Sequence, residues 1–232
     1  MDLIWDGITE ALRLIFTGDG YVYEVTWTSL YVSGSATAIS LVFGFGIAAF
    51  LVFRAPPGRT LALTAFNAGM ALPPVAVGLL VAIMLWRTGP LGQLHILYTP
   101  AAIIIAQAVI ATPVVAALSV AALQSLHPKL RLQIMALGAS RWQSGALLFR
   151  EARLSLLAAV MAGFGAAISE VGATIMVGGN IKGSTRTLTS AIVLEVQRGN
   201  FETATAFSFI LLAVILAVVL AFTLIQQRRP AS

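Results

Sequence analysis

The chain has 232 residues, of which 59% are apolar and only 10% charged, with a mean hydropathy of +0.93. Soluble domains average about a quarter charged residues, so this composition argues against a soluble globular fold and for a chain solvated mostly by lipid. The absence of cysteine removes disulfide frameworks, thiolate nucleophiles and cysteine-ligated metals, and the +5 net charge comes from 14 basic residues in short hydrophilic connections. Such a distribution reads as a membrane-topology bias rather than as affinity for nucleic acid.

In chain order, Ile4, Ile8, Leu12 and Ile15 recur at helical spacing with Asp2, Asp6, Glu10 and Arg13 between them. That pattern predicts an interfacial amphipathic helix ended by Gly18-Asp19-Gly20. A cleaved signal peptide is the competing reading, but the start is acidic where such a peptide is basic.

Charges cost at least about 2.5 kcal/mol near a bilayer centre, so gaps between them locate the spans. Uncharged stretches run over 25–53, 60–86, 88–128 and 203–227, and a fifth apolar stretch from Arg153 to about Val177 is interrupted only by Glu170. Each can supply the roughly 20 residues a bilayer requires. The expected architecture is an all-α membrane protein with helices near 28–53, 62–85, 100–123, 154–177 and 205–226. Residues 1–27 would form an N-terminal interfacial segment, 28–226 the transmembrane domain and 227–232 a tail.

Five spans place the termini on opposite sides. Arg54, Arg59, Lys129, Arg131, Arg141, Arg150, Arg153, Arg228 and Arg229 fall on one side, and Arg13, Arg87, Lys182, Arg186 and Arg198 on the other. The richer side is predicted to be cytoplasmic, with the N-terminus outside and the C-terminus inside.

Catalytic constellations are scarce. His95 and His127 are assigned to opposite sides of the membrane and cannot share a metal. In GGNIKGST (178–185) Lys182 precedes Gly183, the wrong order for a phosphate-binding loop, and the segment follows a membrane helix rather than a strand. The glycine pairs 44/46 and 163/165 lie inside apolar helices, where close helix packing is their default meaning.

The loop 124–153 is basic, yet it keeps helical apolar spacing at Leu130, Ile134 and Leu137 and, beyond Gly138, at Leu147 and Leu148. Two readings are open. It is a helical hairpin folded against its own membrane domain, or a docking element for a cytoplasmic partner, with Gly138 making the bend between two short helices.

LGASRW (137–142), about thirty residues ahead of a membrane helix, resembles the cytoplasmic motif of ABC-importer permeases. There a short coupling helix enters a groove on an ATP-hydrolysing subunit. On that resemblance Leu137, Gly138, Ala139, Ser140, Arg141 and Trp142 are the candidate ATPase-coupling residues. ISEVGATIMVGGNIKGSTRTLTSAIVLE (168–195), LYTPAAIIIAQAVIATPVV (97–115) and ALPPVAVGLL (71–80) resemble permeases for tetrahedral oxyanions, namely molybdate, sulfate and, most closely, tungstate.

The resemblance implies a translocation subunit, not an enzyme, that binds no cofactor itself, with ATP and Mg on a partner ATPase. It further implies a homodimer in a prokaryotic inner membrane, two ATPase subunits, an extracytoplasmic substrate-binding protein and no nucleic acid. An ion-coupled secondary transporter is the alternative from another class. It would be expected to carry inverted repeats and more intramembrane ionisable groups than this sequence has.

Glu170 is the only acid deep in a predicted span. A lone buried carboxylate demands a partner, a cavity or protonation, and it is a poor ligand for an oxyanion. It is either structural or gating near a helix break, or it lines the path and repels anions. Thr174, Asn180, Ser184, Thr185 and Thr187 join it as candidate path or gate residues, with Thr189 and Ser190 offering further hydroxyls. Lys182 and Arg186 are candidates for anion attraction at the outer mouth, or else ordinary charges of a solvated loop. Pro73-Pro74 and Pro113 predict bends in the helices around them.

Overall fold

The computed structural model describes residues 2–227, apart from the side chains of Asp2, Leu3 and Pro128. The tail with Arg228 and Arg229 lies outside the described residues. Within them the fold is all-α: α1 (Asp2–Phe16), α2 (Gly20–Ala49), α3 (Arg59–Gly69), α4 (Pro74–Leu85), α5 (Pro100–Gln124), α6 (Pro128–Ala136), α7 (Arg141–Glu151), α8 (Arg153–Ile168), α9 (Gly172–Gly178), α10 (Leu188–Gln197) and α11 (Phe201–Gln227). Three helices are long and apolar enough to cross a membrane: α2 with its π-helical extension to Arg54, α5, and α11. The number rises to five if the bent pairs α3–α4 (100°) and α7–α8 (72°) each count as one span.

The centre of the bundle is the pairing of α2 with α5. Val32, Ala36, Ser40, Gly44 and Ala48 recur every fourth residue along α2 and are all buried, with Ser40 and Ala36 against Ala108, Gly44 against Val115 and Ala48 in the cluster with Val120 of α5. Lipid offers no hydrophobic drive for helices to associate, so close van der Waals approach along a small-residue stripe supplies it. The Ser40 hydroxyl donates to the Ala36 carbonyl at 2.7 Å and lies 3.4 Å from that of Ala108, which keeps it satisfied within the seam.

The structure departs from the expected boundaries at four places. The first long helix starts at Gly20 rather than near 28, because the Asp19 carboxylate caps it, accepting from the Tyr21 and Val22 N–H groups at 2.9 and 3.1 Å. Glu24, taken as a boundary by the charge count, lies exposed in its second turn. The helix expected over 62–85 is α3 and α4, split at Pro73-Pro74, where Pro73 is extended (ψ 117°) and neither proline can donate a backbone bond. The helix expected over 154–177 is α8 and α9, interrupted at 169–171.

The fourth difference is α10. Its ten residues are too few to span a bilayer, so counting apolar stretches does not detect it. Thr187 caps it in a reciprocal box with Ser190, and it packs with α1, α2 and α11 around Leu188, Ala191 and Phe207.

The amphipathic α1 forms as expected but packs against α11 through Ala11 and Leu14, while Ile4, Leu12 and Ile15 remain exposed. At the other end of the bundle α6 and α7 form the expected hairpin. Phe45, Phe53 and Phe149 cluster edge to face beside it.

Candidate functional site

Glu170 sits in the interruption between α8 and α9 and is only 8% exposed. Its carboxylate Oε1 accepts from the Ala173 N–H at 2.8 Å. Its carbonyl accepts from the hydroxyls of Thr174 and Thr189, both at 3.1 Å. No cation pairs with it among the described residues.

Glu170 and Thr174 are path or gate candidates in the sequence, with Thr189 among the further hydroxyls; the structure brings these three together and adds Gln107. Gln107, at 1% exposure in the first half of α5, donates from Nε2 to Thr174 Oγ1 at 3.2 Å. It was missed, although the amide interrupts the apolar run IIIAQAVIA (103–111), where a polar side chain requires a partner.

Beside Glu170 lies a cavity of about 220 Å³ lined by Gly69, Met70, Leu72, Pro74 and Val77, by Val109, Ile110 and Val114 of α5, and by Ala166 and Ser169. Its lining is apolar except for Ser169 and the carboxylate. The Ser169 hydroxyl is spent on the Gly165 carbonyl at 2.7 Å. The side chains lining this cavity thus offer the Glu170 carboxyl oxygens as acceptors and no free hydroxyl.

The loop 179–187 is held by side chains that satisfy one another. The Arg186 guanidinium donates three ways, each at 3.0 Å: Nε to Asn180 Oδ1, Nη2 to the Asn180 carbonyl and Nη1 to the Tyr21 hydroxyl. Asn180 adopts a left-handed conformation (φ 52°) and also accepts from Ser190 Oγ at 3.0 Å. Thr185 is fully buried, donating to the Gly178 carbonyl and accepting from the Ile181 N–H. The Thr187 hydroxyl is engaged in the α10 cap, whereas Ser184 is exposed. Lys182 is exposed with its ammonium 5.0 Å from the centre of the Tyr21 ring. Tyr21 was not singled out in the sequence, because its role depends on a contact 165 residues away.

Glu195 is a second buried acid that the sequence reading passed over. It accepts from Arg198 at 2.9 Å and Asn200 at 2.8 Å and closes the turn between α10 and α11. The two histidines lie at opposite ends of α5. His95 is exposed with φ 51°, and His127 caps α6 through Nδ1, which accepts from the Lys129 N–H at 3.2 Å. Among the described residues, no cluster of three or more His, Asp or Glu side chains could hold a metal ion.

At the hairpin, Gly138 takes φ 83° and turns α6 into α7, a conformation that costs any residue with a Cβ. Ser140 and Gln143 then form a capping box, at 2.8 and 3.3 Å. One side of the hairpin rests on the bundle through Leu148, Phe149 and the Arg131 guanidinium, which donates to the Phe53 carbonyl at 3.0 Å. The other side presents Leu137 at 89% exposure and Trp142 at 90%. The hairpin thus packs on its own domain, as the first reading has it, and leaves Leu137 and Trp142 as an exposed apolar tip.

The sequence pattern of the family described as the binding-protein-dependent transport system inner membrane component matches residues 27–229. The chain belongs to this family. It is accordingly a multi-pass inner-membrane permease component of a prokaryotic transport system, and the hairpin motif read from LGASRW lies within the matched region. Among similar proteins, the probable anion ABC transporter permease protein of Haloferax volcanii is 42% identical over 85% of this chain and 88% of its own length. The tungstate uptake system permease protein of Peptoclostridium acidaminophilum is 36% identical over 94% of this chain and 96% of its own length. The molybdenum transport system permease protein of Escherichia coli is 29% identical over 79% of this chain and 84% of its own length.

Proposed function

We propose that this chain is the permease subunit of an ATP-driven importer for tungstate, working as a homodimer with two ATPase subunits and an extracytoplasmic binding protein. The observation that carries the substrate is the similarity to the tungstate permease along nearly the whole of both chains. The hairpin end faces the cytoplasm, where Leu137 and Trp142 enter a groove on the ATPase, and ATP and Mg are held by that partner. Gly138 and Ser140 set the direction of the tip, while Ala139 and Arg141 flank it.

Moving a dianion inward against a negative-inside potential costs about 2.3 kcal/mol per charge per 100 mV, so an external energy source is needed. ATP binding shifts the population of permease conformations through the hairpins. The path lies between two copies, with Glu170 and Thr174 at its gate. Asn180, Thr185 and Thr187 shape the segment at the outer mouth, Ser184 and Lys182 face the entering anion, and Arg186 holds that segment in place. The experiment is reconstitution with the ATPase and binding protein in proteoliposomes, comparing ATP-dependent uptake of tungstate, molybdate and sulfate. Preference for tungstate supports the reading, preference for molybdate or sulfate reassigns the substrate, and uptake without ATP dependence overturns the importer.

A further inference from the structure

At the end of the bundle opposite the hairpin, α4 passes into a closed loop over 86–98 before α5 begins at Pro100. The Gly89 N–H donates to the Trp86 carbonyl at 2.7 Å, that of Leu91 to Met84 at 2.9 Å and that of His95 to Gly92 at 3.2 Å. Gly92 is buried, and a Cβ there would run into the Trp86 and Arg87 carbonyls, so the loop closes only around a glycine. His95 and Tyr98 both take left-handed backbone conformations (φ 51° and 63°), which are uncommon for side chains of this size. Two contacts keep Tyr98 there. Its N–H donates to the Val177 carbonyl of α9 at 2.8 Å, and its ring lies where a Cβ on Gly179 would stand 2.9 Å from Cδ1.

This frame surrounds a cavity of about 380 Å³, within the range of about 300–1,000 Å³ typical of small-molecule sites. Leu85 and Leu97 give it apolar wall, and Trp86, Arg87, His95 and Tyr98 each bring an N–H or O–H donor to it. No acid lines the cavity, and no carboxylate pairs with Arg87 or His95 among the described residues. The end of a helix where carbonyls stand free repels an anion. Here the Ile83 and Met84 carbonyls are covered by the N–H groups of Trp86 and Leu91. The cavity beside Glu170 offers carboxyl oxygens, whereas this one offers a cation and donors.

We propose that this cavity is a binding site for a tetrahedral oxyanion, with Arg87 supplying the charge and Trp86, His95 and Tyr98 the further hydrogen bonds. This rests on the permease reading above and gives the imported anion a first station on the chain. The contact of Tyr98 with Gly179 sets that station beside the segment 179–187 at the outer mouth. The phosphodiester of a phospholipid headgroup presents the same chemistry as the free anion, and the two are separated by experiment.

The complete transporter is purified in detergent without its binding protein, and tungstate is titrated onto it by equilibrium dialysis. Arg87→Gln removes the charge and weakens binding at least about tenfold, while Arg87→Lys keeps most of it, since an ammonium also serves an oxyanion as a point charge. Trp86→Phe keeps the ring, removes the N–H and weakens binding about threefold. Arg87 is exposed and without an ion-pair partner among the described residues, so its variants fold as the parent does, which thermal unfolding verifies.

Tungstate binding unchanged by both Arg87→Gln and Trp86→Phe overturns the site. Equal affinity in nanodiscs of phosphatidylcholine and of phosphatidylglycerol supports a free anion, whereas binding lost only in phosphatidylglycerol overturns it in favour of a lipid headgroup. An Arg87→Gln variant that binds tungstate normally and fails only to dock the binding protein also overturns it. ATP-dependent uptake without Arg87-dependent binding refutes the site alone. Arg87-dependent binding without ATP-dependent uptake refutes the importer and leaves the site standing.

Discussion

Gln107 on α5 donates its amide to the Thr174 hydroxyl on α9 at 3.2 Å, and neither residue is more than 1% exposed. The hydroxyl in turn donates to the Glu170 carbonyl, whereas Gln107 Oε1 has no partner among the described residues. The two ends of this bond are therefore unequal. Thr174→Val leaves a buried amide without an acceptor and costs about 1–3 kcal/mol. Gln107→Leu removes an oxygen that is already unpaired while Thr174 keeps its donation, so it changes stability by less than about 1 kcal/mol. Thermal unfolding of both variants in detergent checks the asymmetry; equal losses would contradict it.

Arg186 meets three acceptors in a fixed planar array, which a lysine cannot reproduce. Arg186→Lys is expected to loosen 179–187 nearly as much as Arg186→Ala, by about 1.5–3 kcal/mol of local stability. Amide hydrogen exchange across the segment measures it. Protection retained in the lysine variant would mean that charge alone holds the loop.

Trp142 is 90% exposed and contributes little to the isolated fold. Trp142→Ala should leave unfolding within about 0.5 kcal/mol of the parent. It should weaken association with the ATPase by about 2 kcal/mol or more, the size expected for a buried aromatic anchor. Titration of the ATPase onto the detergent-solubilised permease separates the two effects.

Gly78 admits α4 to the backbone of α9, where a Cβ would fall 2.7 Å from that of Ala173. Gly78→Val forces the helices apart and costs about 1–3 kcal/mol through overpacking. Gly46, which has nothing within 4 Å of its Cβ position, is the control: Gly46→Ala is tolerated or mildly stabilising. Loss of stability at both positions alike would argue against close α4–α9 packing.

Much of the architecture was legible because lipid imposes a strong rule on sequence. Long uncharged runs located α2, α5 and α11, and Gly138 with the Ser140 cap was readable as the bend of the hairpin. Glu170 stood out for the same reason, as an acid where an acid is costly. What did not show was the partnership around each residue. Arg186 reads as a free cation in the sequence, yet three of its N–H groups are held by Asn180 and by Tyr21, which lies 165 positions away.

The sequence by itself determined that the chain is a helical membrane protein and where Pro73-Pro74 and Gly138 would bend it. These follow from local composition and from the cost of placing charge or proline in lipid. Only the tertiary structure decided that the breaks at 70–73 and 169–171 meet beside α5 around one cavity. That coincidence depends on the relative heights at which separate helices pack, and small-residue stripes such as 32–48 of α2 set those heights through contacts between distant segments.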